Sequence, residues 1–277
     1  MLRLSIAPTT FDIYPFQKDQ NEYMNVVRKV NKKKASEQHK KLEKSFDNMM
    51  VYTVKSDEII PDMVFLANGG LCLPRLPETV IVLPWMKYPQ RKRELKYLRE
   101  IFRNFQTVDF PGSASAPFEG QAEIKWFHGG TLGVCGYGHR STKESFHRLD
   151  KLLKKVYSKY GIPPPELLVL KLESPEYYHL DVAMLEYNDN QCIVHKRSFS
   201  PESIQTLQKV LDVYVLDTSD SFCLNAVVDG KNLITHTLTP SLKKELEHVT
   251  GKKIKQVDTS EFEKAGGSVR CMTLDIF

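Results

Sequence analysis

The sequence predicts an α/β protein built as a closed ring of five similar units. The first observation is a repeated strand–strand–helix–strand pattern, whose first strands begin near residues 63, 123, 180 and 224. The second is a fifth start near residue 269, which leaves no room for a hairpin and a helix. The third is that the N-terminus contains the elements that this last unit lacks. Termini that complete one unit would close the ring.

The first two units follow this pattern in order. "MVFLANGGLCLP" and "TVIVLPW" are predicted strands, followed by a helix over 91–105 and the strand "TVDFP". The second unit starts with a hairpin that turns at Gly129–Gly130. A capping box from Ser141 to Glu144 predicts the start of its helix, and "ELLVLKL" is its closing strand.

The next two units carry stronger turn and cap signals. A hairpin turning at 188–190 precedes Ser200, which is predicted to cap a helix that begins with Pro201. "LDVYVLD" closes that unit. In the fourth unit, Asp229–Gly230 predicts a tight hairpin turn. Thr239–Pro240 predicts the start of its helix, and "KIKQVDT" is its closing strand.

The fifth unit is predicted to combine both ends of the chain. "VRCMTL" supplies its first strand, "LRLSIAP" its second, residues 21–49 its helix and "MVYTV" its last strand. No low-complexity linker interrupts the pattern. We therefore expect one domain over residues 1–277.

The composition is that of a globular protein in a reducing compartment. The five cysteines form no CxxC pair or regular framework, which disfavours disulfides and zinc ribbons. The N-terminus lacks a signal peptide and no apolar run could span a bilayer, so we expect a cytoplasmic protein without a membrane partner. The net charge of +5 comes largely from residues 28–44 and 91–96. These read as solvated helix faces rather than as a nucleic-acid site.

Polar side chains interrupt the apolar strands at equivalent places in several units. In a closed ring, equivalent places converge on the axis, so these residues are predicted to share one central pocket. The set consists of Asp62, Asn68, Glu119, Glu123, His179, Asp181 and Cys271.

This set suits covalent catalysis on a cation. A cysteine attacks as its thiolate, and His179 could act as base and then as acid while Glu119 orients it. Carboxylates such as Asp181 would bind a planar cation through charge-assisted hydrogen bonds. Acids around the Cys271 thiol would raise its pKa, which is useful only if the substrate itself is positive. The set therefore indicates a guanidinium substrate.

Five motifs resemble those of the guanidino-group-modifying enzymes, or penteins: "PDMVFLANGGL", "FEGQAE", "GYGHRS", "HLD" and "GGSVRCMT". This family includes arginine deiminase, dimethylarginine dimethylaminohydrolase and the amidinotransferases. The pattern is most similar to the arginine dihydrolase branch. The resemblance implies a pentein fold, a five-bladed α/β propeller of pseudo-fivefold units, with neither a metal nor a cofactor.

The resemblance also implies roles for residues of this chain. Cys271 would be the nucleophile, His179 the general acid/base and Glu119 its paired carboxylate. Asp181 would bind guanidinium nitrogens, and Arg140 the substrate α-carboxylate. The remaining matches are predicted substrate-binding positions: Asn21, Asp62, Asn68, Lys87 and Glu123. In the dihydrolase branch, an asparagine at the place that matches Asn68 is associated with handling both the guanidino stage and the ureido stage of the reaction.

Three motifs depart from the family pattern. "FEGQGD" is "FEGQAE" here, "FRHPER" is "MKYPQR" and "GYGFR" is "GYGHR", so that Glu123, Lys87 and His139 are altered positions. Simpler interpretations also stay open at four positions. Arg140 could be a surface arginine, Asn21 a helix cap, Asp62 a turn residue and Lys87 a solvated side chain.

The predicted function is a cysteine-dependent hydrolase of arginine or a close guanidino compound, acting through a covalent thiouronium intermediate. An arginine dihydrolase would form ornithine, CO2 and ammonia, whereas a dimethylarginine hydrolase or a deiminase would form citrulline. A non-catalytic propeller that binds a ribosome or a protein is the alternative from another class. The expected partner is a small-molecule substrate, and homo-oligomer formation is left open.

Overall fold

The computed structural model describes residues 1–24 and 26–277, which form five three-stranded sheets. In each sheet, the first strand of a unit is antiparallel to the second, and the second is parallel to the third across a helical connection. The third and fourth units repeat this pairing. The five-bladed α/β arrangement predicted from the repeat is confirmed.

The N-terminal part of the chain provides three elements of the split unit, and the first complete unit follows. The split unit contributes strand β1 (Leu2–Ile6), helix α1 (Lys32–Ser45) and strand β2 (Met49–Tyr52). Unit one consists of β3 (Leu71–Cys72), β4 (Val80–Leu83), α2 (Pro89–Lys92), α3 (Leu95–Ile101) and β5 (Gln106–Asp109).

Three more units complete the ring. Unit two consists of β6 (Ile124–Phe127), β7 (Leu132–Tyr137), α4 (Lys143–Ser158) and β8 (Glu166–Lys171). Unit three consists of α5 (Leu180–Ala183), β9 (Met184–Asn188), β10 (Gln191–His195), α6 (Pro201–Gln208) and β11 (Asp212–Leu216). Unit four consists of β12 (Val227–Asp229), β13 (Asn232–Thr235), α7 (Pro240–Thr250) and β14 (Lys253–Gln256).

The C-terminus closes the split unit as predicted, but the predicted strand "VRCMTL" is wrong, because residues 269–272 form a turn and the strand begins at Leu274. Helix α8 (Ser260–Glu263) leads to β15 (Leu274–Ile276), which pairs with β1 through Leu2 opposite Ile276. β1 therefore lies between the C-terminal strand and β2. Neither end of the chain can form this sheet without the other.

Local chemistry explains where the longer helices begin and end. Thr239 caps α7 by accepting from the Leu242 amide, Pro240 follows at the first position, and Gly251 ends the helix with φ of 64°. α4 presents a buried stripe of apolar side chains, as its 3.6-residue period predicts. The cap of α4 is Thr142, not Ser141, because the buried Ser141 hydroxyl donates to Glu123 instead.

Several predicted boundaries are wrong. Residues 61–68 form two 3-10 turns, and only Leu71–Cys72 pairs as a strand, because the turns point Asn68 and its neighbours inward. The helix predicted over 91–105 is divided into α2 and α3. The helix predicted over 21–49 begins at Lys32, after its cap Asn31, and ends at Ser45. Position 25 of that prediction lies outside the described residues.

The interpretation of the basic stretch 91–96 as a solvated face is also wrong at its first residue. Arg91 is 4% exposed and paired with the buried Glu94. Helical periodicity could not reveal this, because both partners of the pair are charged. The described part of the chain contains no helix with the length and apolarity needed to cross a bilayer.

Candidate active site

A tight turn or short helix precedes the first strand of each unit, and these turns carry the polar residues. Asn68, Asp181 and Cys271 each lie three residues before the first strand of their unit. Direct contacts link the turns, since the Ala67 amide donates to the Cys271 carbonyl at 3.0 Å. The Cys271 thiol in turn lies 3.4 Å from Asp181 Oδ2. The predicted convergence of remote residues is therefore present.

The Gly-Gly sequence before Cys271 is required by close packing. Gly266 has φ of 90°, and a Cβ there would lie 2.6 Å from Asn21 Oδ1. A Cβ on Gly267 would lie 2.3 Å from the ring of Phe65. Larger residues would displace this turn, and with it the backbone that positions Cys271.

The Cys271 thiol lies among polar groups although it is 3% exposed. Asn225 Nδ2 donates to Sγ at 3.2 Å, and the thiol donates to Asp181 Oδ2. Burial raises the pKa of Cys271 well above its ordinary value, and the negative charge of Asp181 adds to this effect. The thiol is therefore protonated at neutral pH.

Asn225 is a site residue that the sequence reasoning missed. Its Oδ1 accepts from the amides of Arg270 and Cys271 at 3.0 and 3.2 Å, so one side chain holds both the backbone and the sulfur of Cys271. Asn225 lies two residues before β12. Unit four was the one unit without a candidate, and the polar residue in "CLNAVV" was the available signal.

His179 and Glu119 form a buried pair. His179 Nε2 lies 2.9 Å from Glu119 Oε2, and Glu119 also accepts from Arg140 Nη1 at 2.8 Å and from the Lys87 amide at 3.1 Å. Burial would raise the pKa of Glu119, but Arg140, His179 and Arg91 outweigh it and hold the pKa well below the ordinary value. Burial lowers the pKa of His179, against the effect of Glu119.

These pKa directions define the protonation state of the His179 imidazole. An ionised Glu119 can only accept, so a neutral His179 donates from Nε2 and keeps a lone pair on Nδ1. The ring is therefore held in the tautomer that donates from Nε2 and can accept a proton at Nδ1.

Two carboxylates near this pair keep an unsatisfied oxygen. Asp181 Oδ1 and Glu123 Oε2 are buried and have no hydrogen-bond partner within 1–24 and 26–277. Burial raises the pKa of both groups, and the charge of Glu119 adds to the effect at Glu123. Glu123 Oε1 lies 3.7 Å from His179 Nε2. A bound cation would favour the ionised form of both acids.

Asn68 and Asp62 meet on the buried side chain of Arg91. Arg91 Nη1 donates to Asn68 Oδ1 at 2.9 Å, and Arg91 Nε lies 3.9 Å from Asp62 Oδ2. Gln17 Nε2 donates to both oxygens of Asp62 at 3.0 and 3.1 Å. Asp62 is thus occupied by protein groups, whereas Asn68 keeps its amide nitrogen free of partners in the described chain.

Three further predicted positions lie toward the mouth of the site. Arg140 is buried between the rings of Tyr88 and Tyr178, at 4.9 and 4.8 Å, so the interpretation as a surface arginine is wrong.

Asn21 caps no helix, because it donates to the Ala265 carbonyl and accepts from the Tyr23 amide. Lys87 is exposed, and its ammonium donates to the His139 carbonyl at 2.6 Å.

Residues 17–24 cover the site. Tyr88 Oη donates to the carbonyls of Asp19 and Gln20, and Arg140 Nη2 donates to the Gln20 carbonyl at 2.6 Å. A pocket of about 550 Å³ lies at this mouth, lined in part by Asn21, Lys87, Arg140 and Tyr178. The catalytic candidates below the segment are at most 3% exposed.

Relatives and solved structures resemble this chain over most of its length, although no protein-family model matches it. A dimethylarginine dimethylaminohydrolase of Mycobacterium tuberculosis is 28% identical over 92% of this chain and 80% of its own length. A bifunctional arginine dihydrolase/ornithine cyclodeaminase of Synechocystis sp. is 28% identical over 90% of this chain. This chain spans 34% of that longer enzyme.

The N-terminal domain of a cyanobacterial arginine dihydrolase, solved with its substrate, superposes with a TM-score of 0.83 at 25% identity. That match covers 98% of this chain and 96% of the solved chain. This chain has the pentein fold, and the relatives and solved structures that it resembles are guanidino-group-modifying enzymes of the pentein superfamily. Other structures of that domain hold the product or a covalently bound reaction intermediate.

The chemistry available to this pentein follows from its own side chains. It has a thiol, an imidazole with a free lone pair, unsatisfied carboxylate oxygens and one free amide nitrogen, all buried. Among the residues described, no group of three or more His, Cys, Asp or Glu is placed to hold a metal ion. The other four cysteines are buried and free, as expected for packing residues.

Proposed function

We propose that this pentein is a cysteine-dependent hydrolase of guanidino C–N bonds that converts arginine to ornithine, CO2 and two molecules of ammonia. The observation that carries the proposal is a set of three buried atoms without partners in the described chain: Asp181 Oδ1 beside the Cys271 thiol, Glu123 Oε2 beside His179, and Asn68 Nδ2. Burying polar atoms without partners is costly unless a ligand supplies the missing bonds. In a site that contains a thiol, the two acceptors suit the N–H donors of a guanidinium. The one donor suits the oxygen of the ureido group derived from it.

The first round removes one nitrogen from arginine. The thiol proton passes to His179, and Cys271 Sγ attacks the guanidinium carbon. His179 protonates the departing nitrogen, ammonia leaves and a thiouronium remains on sulfur. His179 then takes a proton from water, which attacks the same carbon. The C–S bond breaks, citrulline forms and the thiol is restored.

The second round repeats the attack on the ureido carbon. Ammonia leaves and an S-carbamoyl adduct remains. Water releases this adduct as the carbamate of ornithine, which loses CO2. The two rounds together consume two water molecules and one arginine. A neutral ureido oxygen accepts a hydrogen bond, and Asn68 Nδ2 can donate one.

Other residues are assigned to binding and orientation. Asp181 and Glu123 would accept from the guanidinium nitrogens, and Glu119 would orient His179. We place the amino-acid end of the substrate in the pocket near Lys87 and Arg140. Arg140 would both fix Glu119 and add positive charge for the α-carboxylate, while Asn21 would hold residues 17–24 against the Gly266 turn.

Substrate entry requires residues 17–24 to move, because the catalytic side chains are covered. After reclosure, the hydrogen bonds from Tyr88 and Arg140 would retain citrulline for a second attack. The cytoplasm remains our predicted location, and a homo-oligomer is compatible with this scheme.

Dimethylarginine is the second candidate substrate, since the mycobacterial relative covers 92% of this chain and carries that activity in its name. A deiminase that releases citrulline from arginine is the remaining variant of the same chemistry. Both would stop after one round.

Product analysis tests the proposal. Purified protein is incubated separately with arginine, citrulline and dimethylarginine, and amino acids, ammonia and alkylamine are quantified. Two ammonia molecules and one ornithine per arginine support the dihydrolase, and citrulline with alkylamine supports the second candidate. Citrulline alone indicates a deiminase. No turnover of any of them would favour the non-catalytic propeller.

A further inference from the structure

Arg91 is a buried cation that makes a polar contact with a proposed substrate-binding residue. Its Nε and Nη2 donate to the two oxygens of Glu94, each at 2.9 Å, in a paired arrangement. The remaining nitrogen, Nη1, donates to Asn68 Oδ1 at 2.9 Å. Arg91 and Glu94 are 4% and 2% exposed.

This contact decides the orientation of the Asn68 amide. A guanidinium has only donors, so the carbonyl end of the amide must face Arg91. The amide nitrogen then lies on the other side, where it is buried and without a partner in 1–24 and 26–277. The backbone N–H of Asn68 donates to the Phe65 carbonyl, which fixes the turn that carries the side chain.

Neighbouring side chains hold Arg91, and therefore the Asn68 amide, in this orientation. Glu94 accepts from Nε and Nη2 along one edge of the Arg91 guanidinium, and the Asp62 carboxylate lies 3.9 Å from Nε. Gln17 in turn holds Asp62. If the Asn68 amide rotated by half a turn, two sets of buried donors would face each other.

We propose that Arg91 is a positioning residue that makes Asn68 present a donor to the substrate and thereby favours the second round. This inference rests on the proposed function. A guanidinium carries only N–H donors, and the Asn68 nitrogen is a poor match for it. A ureido group has one oxygen acceptor, which this nitrogen matches. Without Arg91, the amide could turn its oxygen to the substrate, which suits arginine and not citrulline.

The test compares arginine and citrulline as substrates of the double variant Arg91→Met/Glu94→Gln. Replacing both partners avoids a buried unpaired charge. We expect kcat/KM for citrulline to fall at least about 10-fold more than kcat/KM for arginine, because one matched buried hydrogen bond is lost. Citrulline should accumulate during arginine turnover.

The matched control is Glu94→Gln alone, which keeps Arg91 and its contact with Asn68. It should leave the ratio of the two kcat/KM values unchanged. Arg91→Lys keeps a buried charge but lacks the fixed fork of donors, so it should lower citrulline turnover selectively by a smaller factor. If the double variant does not fold, the ratio of kcat/KM for arginine and citrulline in Arg91→Lys tests the inference.

Equal losses for arginine and citrulline in the folded variants would assign Arg91 a purely structural role and overturn the inference. In that case wild-type protein still forms ornithine, and the proposed function stands. If wild-type protein forms no ornithine from arginine, the second round fails, and this inference fails with it.

Discussion

At the scale of single residues, buried polar atoms define the site. Within the described residues, Asp181, Glu123 and Asn68 each keep a side-chain atom without a partner, whereas both carboxylate oxygens of the buried Asp62 accept from Gln17 and one lies 3.9 Å from Arg91 Nε. Since burial of a polar group is unfavourable without a partner, the first three are better substrate contacts than Asp62. Glu119 serves instead as the anchor for His179 and Arg140.

Replacement of Cys271 by alanine should abolish turnover of arginine, by at least ~1,000-fold in kcat, because it removes the thiol that contacts Asp181 and Asn225. Ammonia release measures the loss. Cys192→Ala is the matched control, since Cys192 is buried in the core of unit three. Retained activity in Cys271→Ala would refute the covalent scheme.

Asn68→Asp should convert the enzyme to a one-round hydrolase. A carboxylate at this position faces Arg91 as the amide oxygen does, but it offers no donor to the ureido oxygen. We expect citrulline as the main product and a fall of about 10-fold or more in kcat/KM for citrulline. Chromatography of the amino acids checks this, and unchanged ornithine yield would argue against the role of Asn68.

At the scale of elements, short turns rather than strands position the chemistry. Asn225, before β12, holds the turn that follows α8, so that units four and five together fix Cys271. A second link between these units is His236, which follows β13. Its Nε2 lies 3.0 Å from Asp220, and its Nδ1 lies 3.2 Å from Glu263 in α8.

The His236 link should make stability depend on pH. Burial would lower the pKa of His236, but Asp220 and Glu263 outweigh it and raise the pKa to about 9. A raised pKa stabilises the fold below the unfolded value of about 6.5, and this stabilisation is lost as the pH rises through about 9. His236→Gln should therefore lower the free energy of unfolding by about 3 kcal/mol at pH 6.

Urea denaturation of wild type and His236→Gln at pH 6 and pH 10 measures this difference. The two proteins should differ by less than about 1 kcal/mol at pH 10, where wild-type His236 is neutral. A difference that is equal at both pH values would mean that His236 contributes packing and not charge.

At the scale of the whole molecule, the ring depends on pairing between the two ends of the chain. Arg3 reinforces the strand pairing through ion pairs with Asp229 and Asp275 at 2.6 and 3.0 Å. Arg270, next to the nucleophile, pairs with Asp275 at 2.8 Å. Closure of the ring and placement of Cys271 are therefore coupled through Asp275.

Circular permutation tests this closure. A chain in which a short Gly/Ser linker joins Phe277 to Met1, with new ends at the exposed Gly230 turn, should fold and keep arginine turnover, because β15 already pairs with β1. Removal of residues 274–277 should instead abolish cooperative unfolding and activity. Thermal denaturation and ammonia release distinguish the two, and a stable truncated protein would contradict the coupling.

Much of this protein follows from the sequence alone. The five-unit repeat, the split unit, the hairpin turns at Gly129, Asn188 and Asp229, and the caps Ser200 and Thr239 depend on local periodicity and turn chemistry. The candidate side chains were found by their place in the repeat. The turns and caps were predictable because neighbours along the chain determine them, and the split unit was predictable because the repeat leaves one unit incomplete at each end of the chain.

Tertiary structure decided the features that depend on distant partners. Arg91 appears in the sequence as one basic residue among several, and only Glu94 and Asn68 make it a buried part of the site. Ser141 was predicted as a helix cap, but its hydroxyl donates a hydrogen bond to the buried Glu123 instead. Asn225 became a site residue only when the ring brought it to Cys271. Local pattern determines the elements, whereas the partners of a buried polar group come from elements remote in sequence, and only closure of the ring selects them.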